Sequence, residues 1–179
     1  MKHPLKWALL AMLALAICGA SADPVDARPR VARGRSFEAN KTFGLGVMLG
    51  APTGLSGKYY LGADTALDFG VGFMRYYRGR DGIHLHLDYL WHPVSLASVP
   101  AFELPVYFGI GGRFFDFDDD NDEAYAFGVR APLGIAFDFN RAPLDLFFEL
   151  ALVLDFFTGY REDVGADVNG AIGLRFYFQ

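Results

Sequence analysis

Cysteine is nearly missing from this chain. Its 179 residues hold one, Cys18, and lysine occurs only at Lys2, Lys6, Lys41 and Lys58. Past residue 18 there can be no disulfide framework, no thiolate nucleophile and no cysteine-based metal site. A long hydrophobic run is missing too. The most continuous one, residues 7–17, has eleven residues, against the about 20 that a bilayer-spanning helix needs. Basic charge is also short. Sixteen Lys and Arg against 21 Asp and Glu give a net charge of −5, so no nucleic-acid partner is expected.

Apolar material is nevertheless abundant. Hydrophobic residues make up 53% of the chain, Phe alone counts 18, and Gly counts 21. That content excludes a disordered chain. The length suits one domain. With 21% charged residues and no long apolar run, a helical membrane protein is excluded as well. The composition therefore poses a question: where do so many large apolar side chains go?

The N-terminus reads as an address. Lys2, His3 and Lys6 precede the apolar run, and Ala20-Ser21-Ala22 supplies small residues at the cleavage positions. This is the pattern of a cleaved secretory signal peptide over residues 1–22. Residues 23–41 form a polar lead-in with Arg28, Arg30, Arg33 and Arg35, expected to be a solvated periplasmic linker. The remainder, 42–179, carries nine basic and eighteen acidic residues, a net charge of −9.

From Phe43 onward the apolar residues recur at every second position, the mark of strands with two unlike faces. Eight such stretches stand out: 43–50, 55–61, 66–74, 83–92, 102–114, 125–139, 144–156 and 168–178. They are joined by short segments rich in Gly, Pro, Asp or Asn, at 51–54, 62–65, 77–82, 94–101, 116–123, 140–143 and 159–166. Such connections suit antiparallel hairpins. The expected fold is all-β, an eight-stranded antiparallel up-and-down barrel.

The two faces differ sharply. The last four stretches place twenty-five large apolar residues on one face, for example Phe108, Ile110, Val129, Leu150 and Leu174. The interior of an eight-stranded barrel is just wide enough for side chains to fill, and it cannot hold that set from every strand. The other parity is rich in Gly, Ala and charge, which suits a narrow lumen. The apolar face should therefore point outward into lipid. Tyr59, Tyr89, Trp91, Tyr125, Phe139 and Phe178 are the candidates for interfacial aromatic girdles.

The signal peptide, the eight alternating stretches and an aromatic-rich final stretch together resemble the small outer-membrane barrels of the OmpA/OmpX type. In the last stretch, Gly170, Ile172, Leu174, Phe176 and Phe178, followed by Gln179, resemble the C-terminal signal read by the barrel-assembly machinery. The resemblance implies a transmembrane β-barrel in the outer membrane of a Gram-negative bacterium. It implies contact with lipid and lipopolysaccharide, a monomer, no cofactor, and a structural or interaction role in the envelope. It does not imply one activity.

The inward parity defines the candidate site. It collects Lys58, Asp68, His84, His86, Asp88, His92, Glu103, Arg113, Arg130, Asp138, Asp145, Glu149, Asp155 and Arg175. Charges in so narrow a space must pair, so they are expected to form an ion-pair network that closes the lumen. The alternative is a narrow path for water or small ions. His84-x-His86 could chelate a metal, although no second ligand cluster accompanies it. His92 falls too far along to join them. Asp118, Asp120 and Asp122 are weak candidates for a divalent-cation loop, which more simply reads as solvated charge. A Ser56/His84 pair near the outer rim, oriented by Asp68 or Asp88, would support a lipid A-modifying hydrolase. No lipase motif surrounds Ser56, and no enzyme is expected.

Overall fold

The computed structural model describes residues 36–76, 80–119, 122–158 and 164–178. The signal-peptide residues and most of the lead-in lie outside the described residues. The fold is eight antiparallel strands in up-and-down order that close on themselves. They are β1 (Phe43–Gly50), β2 (Thr53–Tyr60), β3 (Thr65–Tyr76), β4 (Arg80–Ser98), β5 (Phe102–Asp119), β6 (Asp122–Phe139), β7 (Leu144–Thr158) and β8 (Val164–Phe178). Closure joins β1 to β8, from Phe43 opposite Phe178 to Gly50 opposite Ala171. No strand of the barrel is left without neighbours on both sides.

The register fixes the geometry. From Gly46, partners run round the wall through Ser56, Gly70, His86, Arg113, Gly128 and Asp155 to Gly165. The residue of β8 that actually faces Gly46 is Arg175, ten positions further on. That stagger is the barrel's shear, and for eight strands it requires a strongly tilted wall.

The parity expected from the sequence holds on every strand, in β4 as far as the slips in its pairing with β5. Val47, Leu55, Phe73, Leu87, Ile110, Leu133, Leu150 and Leu174, one from each strand in turn, are all exposed. The alternate positions are buried, and the buried set is dominated by charge, Tyr and small residues. This inverts the distribution of a water-soluble domain, where apolar side chains fill the core.

Several boundaries differ from expectation. The connection expected at 94–101 is largely strand, because β4 runs on to Ser98. Its pairing with β5 slips between Trp91 and Val94 and again between Ser95 and Ser98. Pro93 lies at the first slip, where a residue without an N–H is tolerated. The extra residue of a bulge reverses parity, so His92 and Ser95 both point inward. The acidic connection expected at 116–123 is also mostly strand. Asp118 faces Glu123 and Asp119 faces Asp122 across a tight hairpin. Likewise, β8 begins at Val164 rather than 168. By contrast, β1 and β2 stay at eight residues each, the shortest strands in the wall.

Candidate functional site

The lumen is filled in three layers. At the end where the chain enters and leaves the barrel, Phe37, Tyr60 and Tyr177 form an apolar cluster with Ala66. Phe37 belongs to the lead-in, yet it is only 2% exposed. Its ring lies 5.9 Å from that of Tyr60 and 5.3 Å from that of His92. Lys41, the last lead-in residue, pairs with Asp138 and donates to the carbonyls of Phe139 (3.1 Å) and Leu144 (3.0 Å). Ala39 N–H donates to Ala63 O at 2.7 Å. The lead-in is thus tied to the barrel end from Phe37 onward. A lone Phe in an otherwise polar stretch was the one sequence signal for this.

His92 connects this layer to the next. Its Nδ1 lies 3.2 Å from the carbonyl of Asp64, which can only accept, so Nδ1 carries the proton. Nε2 is left to accept from Lys58 Nζ at 3.3 Å. Lys58 also sits 4.5 Å from the ring centre of Tyr107, within cation–π range. Lys58 was expected to join the ion pairs. Asp68 faces it across the sheet, but the described partner of the Asp68 carboxylate is Arg175.

Arg175 is the hub of the middle layer. Its Nε donates to Ser56 Oγ (2.8 Å), its Nη2 to Asp68 (2.5 Å), and its Nη1 lies 3.7 Å from Asp145. The guanidinium also lies 3.8 Å from the ring centre of Phe147. Asp145 accepts from Tyr177 OH at 2.6 Å. Arg130 forms a second hub, bonding Asp88 (3.0 Å) through Nε and Glu149 (2.7 Å) through Nη2. Glu149 takes a further bond from Tyr107 OH at 3.1 Å. The flat fork of arginine lets one side chain meet two carboxylates on different strands.

Arg113 holds the layer at the opposite end. It pairs with Asp155, and its Nη1 reaches Asp167 (3.2 Å) and Asn169 Oδ1 (2.9 Å). Asn169 in turn donates to Asp167 at 2.8 Å. Met74, Phe115 and Ala126 form an apolar cluster there, with Ala51 and Phe157 packed against it. Glycines make room for these side chains. A Cβ on Gly134 would strike the ring of Tyr107, and one on Gly70 would strike the imidazole of His86.

Of the inward residues expected from sequence, all but one reach the buried lumen or its rim pairs. The exception is Glu103. It is partly exposed and, among the described residues, accepts from Ser95 (3.4 Å) and Ser98 (2.9 Å) at the barrel end. The bulges in β4 carry those serines there, so Glu103 stands apart from the lumen network.

His84 and His86 are in contact, Nε2 to Nδ1, at 3.1 Å. Among the described residues no group of three His, Cys, Asp or Glu is arranged to hold a metal. Asp120 lies outside the described residues, as do the side chains of Asp118 and Asp122. Ser56 and His84 have different partners: Arg175 for the serine, His86 for the histidine. Both lie on the inner face, but Ser56 shares its register row with His86 rather than with His84.

On the outer surface the aromatic side chains gather in two bands. Phe43 meets Tyr59 and Phe178, and Tyr89 meets Trp91, at the end holding the termini. Phe114 meets Tyr125 and Phe127 toward the other. No family model matches the chain, and neither the curated proteins nor the solved structures contain a significant match.

Proposed function

We propose that this chain is an integral β-barrel of the Gram-negative outer membrane, similar to the small OmpA/OmpX-type barrels, with a closed polar core and a structural or interaction role in the envelope. The observation that carries this reading is the inside-out distribution of side chains. A full ring of exposed Leu, Val, Ile and Phe encircles a lumen packed with ion pairs. Water would penalise that surface at about 25 cal/mol per Å², whereas lipid tails accept it. The closed ladder also satisfies the condition for strands in hydrocarbon, where backbone groups must find partners within the protein. The two aromatic bands fit the girdles of such barrels.

On this reading the lipid-facing surface contacts phospholipid and lipopolysaccharide, and the final strand engages the barrel-assembly machinery during insertion. The three stacked layers of side chains favour a closed core over a channel.

The test is refolding from urea into lipid vesicles, read by heat-modifiable gel mobility and protease protection, followed by planar-bilayer recording. The expected result is a lipid-dependent, heat-modifiable form without discrete conductance steps. A folded, monodisperse protein in buffer without detergent would overturn the membrane reading. Stable steps would overturn the closed core.

A further inference from the structure

The lead-in crosses the turn between β6 and β7 on its way into the barrel, and the crossing leaves a small cavity. Its volume is about 120 Å³, and its walls are Asn40, Lys41, Asn140, Arg141, Ala142 and Pro143. One water occupies roughly 30 Å³ in the liquid. The cavity therefore has room for a compact group such as phosphate and not for an acyl chain.

The chemistry of the walls selects the sign of the ligand. Two wall residues carry cations, two carry amides, and none carries a carboxylate. Asp138 is close in the chain, but it pairs with Lys41. Lys41 commits its three ammonium protons to Asp138, Phe139 O and Leu144 O. With Asp138 it forms a neutral pair that gives the cavity a firm wall and no free donor. Arg141 differs. It is exposed, and among the described residues no acceptor meets its guanidinium. The side-chain amide of Asn40 likewise has no partner among them. Asn140 donates one amide proton to Val99 O at 2.9 Å and keeps the other. A guanidinium fork with amide donors beside it matches the oxygens of a phosphate group.

These donors are held in place before any ligand arrives. Ala39 N–H is bonded to Ala63 O at 2.7 Å on one side of Asn40, and Lys41 is pinned on the other. The turn that carries Asn140 and Arg141 is closed by bonds from Asn140 N–H to Ala101 O (3.0 Å) and from Tyr177 N–H to Pro143 O (2.7 Å). Groups already held lose little freedom on binding.

Position names the source of the phosphate, and this step rests on the membrane reading above. Asn140 directly follows Phe139, the last residue of β6. Tyr177, bonded to Pro143, precedes Phe178, which belongs to the aromatic band at the end holding the termini. The cavity thus lies just outside that band, and girdle aromatics mark the level of the lipid headgroups.

We propose that this cavity binds the phosphate of a phospholipid headgroup, with Arg141 as its principal partner and Asn40 and Asn140 as further donors.

The experiment uses the chain refolded in alkyl maltoside micelles, which carry no phosphate, with heat-modifiable gel mobility as the check on folding. Dihexanoyl phosphatidylglycerol, dihexanoylglycerol and inorganic phosphate are titrated separately. The side-chain amides of Asn40 and Asn140 and the Nε–H of Arg141 are followed by NMR in isotope-labelled protein. The expected result is a saturable shift with the phospholipid and none with the glyceride, which has the same tails. The midpoint should rise about tenfold in Arg141→Gln, the loss of a hydrogen bond to a charged group. Arg141→Lys keeps the charge without the fork and should fall between. The same shift with the glyceride, or an unmoved midpoint in R141Q, overturns the site. Saturation by inorganic phosphate as tight as by the phospholipid overturns the headgroup as the source. Protein that folds without detergent and still shows the phosphate shift would strike the membrane reading, and the headgroup with it, but not the anion site. Should R141Q fail to fold, the comparison of phospholipid with glyceride on the parent decides alone.

Discussion

Replacing Arg175 with Met tests whether the lumen is held by its ion pairs. The guanidinium is 1% exposed and bonds Ser56 and Asp68, with Asp145 beside it. Met keeps much of the volume and the contact with Phe147 but removes the charge. Asp68 and Asp145 are then left buried without the guanidinium. Removing one partner of a buried pair costs about 3–5 kcal/mol, most of it from the stranded charge. Arg175→Lys keeps the charge but not the fork, so it should recover only part of the loss. Combining R175M with Asp68→Asn removes the stranded carboxylate, and the double variant should be less destabilised than R175M alone. The assay is equilibrium urea unfolding in lipid vesicles, followed by Trp91 emission in a Trp7→Phe background. Stability of R175M within about 0.5 kcal/mol of the parent, the range of an ordinary surface change, would refute the idea that this network supports the barrel.

Phe37→Ala should cost about 3 kcal/mol, toward the low end for a buried Phe, because the lead-in is integral to the barrel end; an unchanged urea midpoint would return it to a passive tail. Leu150, 61% exposed on the outer face of β7, should cost about 2–4 kcal/mol when replaced by Arg, measured by the same unfolding in vesicles. Gly134→Ala should cost about 1–3 kcal/mol by overpacking, since its Cβ meets the Tyr107 ring. Tyr107→Leu in the same chain should relieve that clash, and the pair of variants read together by a double-mutant cycle checks it.

The alternation of large apolar and small or charged residues was legible because strand parity is local. Side chains two apart share a face whatever lies next door. Parity alone placed Leu150 outside and Arg130 inside. The two slips in β4, one at Pro93 and one between Ser95 and Ser98, were less visible, because a one-residue slip leaves no mark in composition. They are what carry Ser95 and Ser98 to Glu103 and leave that residue out of the network. The acidic stretch from Asp116 to Glu123 misled for a different reason: charge suggested a loop, but β5 runs on to Asp119 and β6 begins at Asp122.

What the amino-acid sequence determines by itself is the number of strands, their faces and the inverted placement of grease and charge. Which charges meet was decided only by closure. Arg130 bonds Asp88 on a strand two places away and Glu149 on its neighbour, and Arg175 joins Ser56 and Asp68 across the seam between β8 and β1. Those pairings depend on the ten-residue stagger of the wall, a property of the whole ring that no single strand encodes.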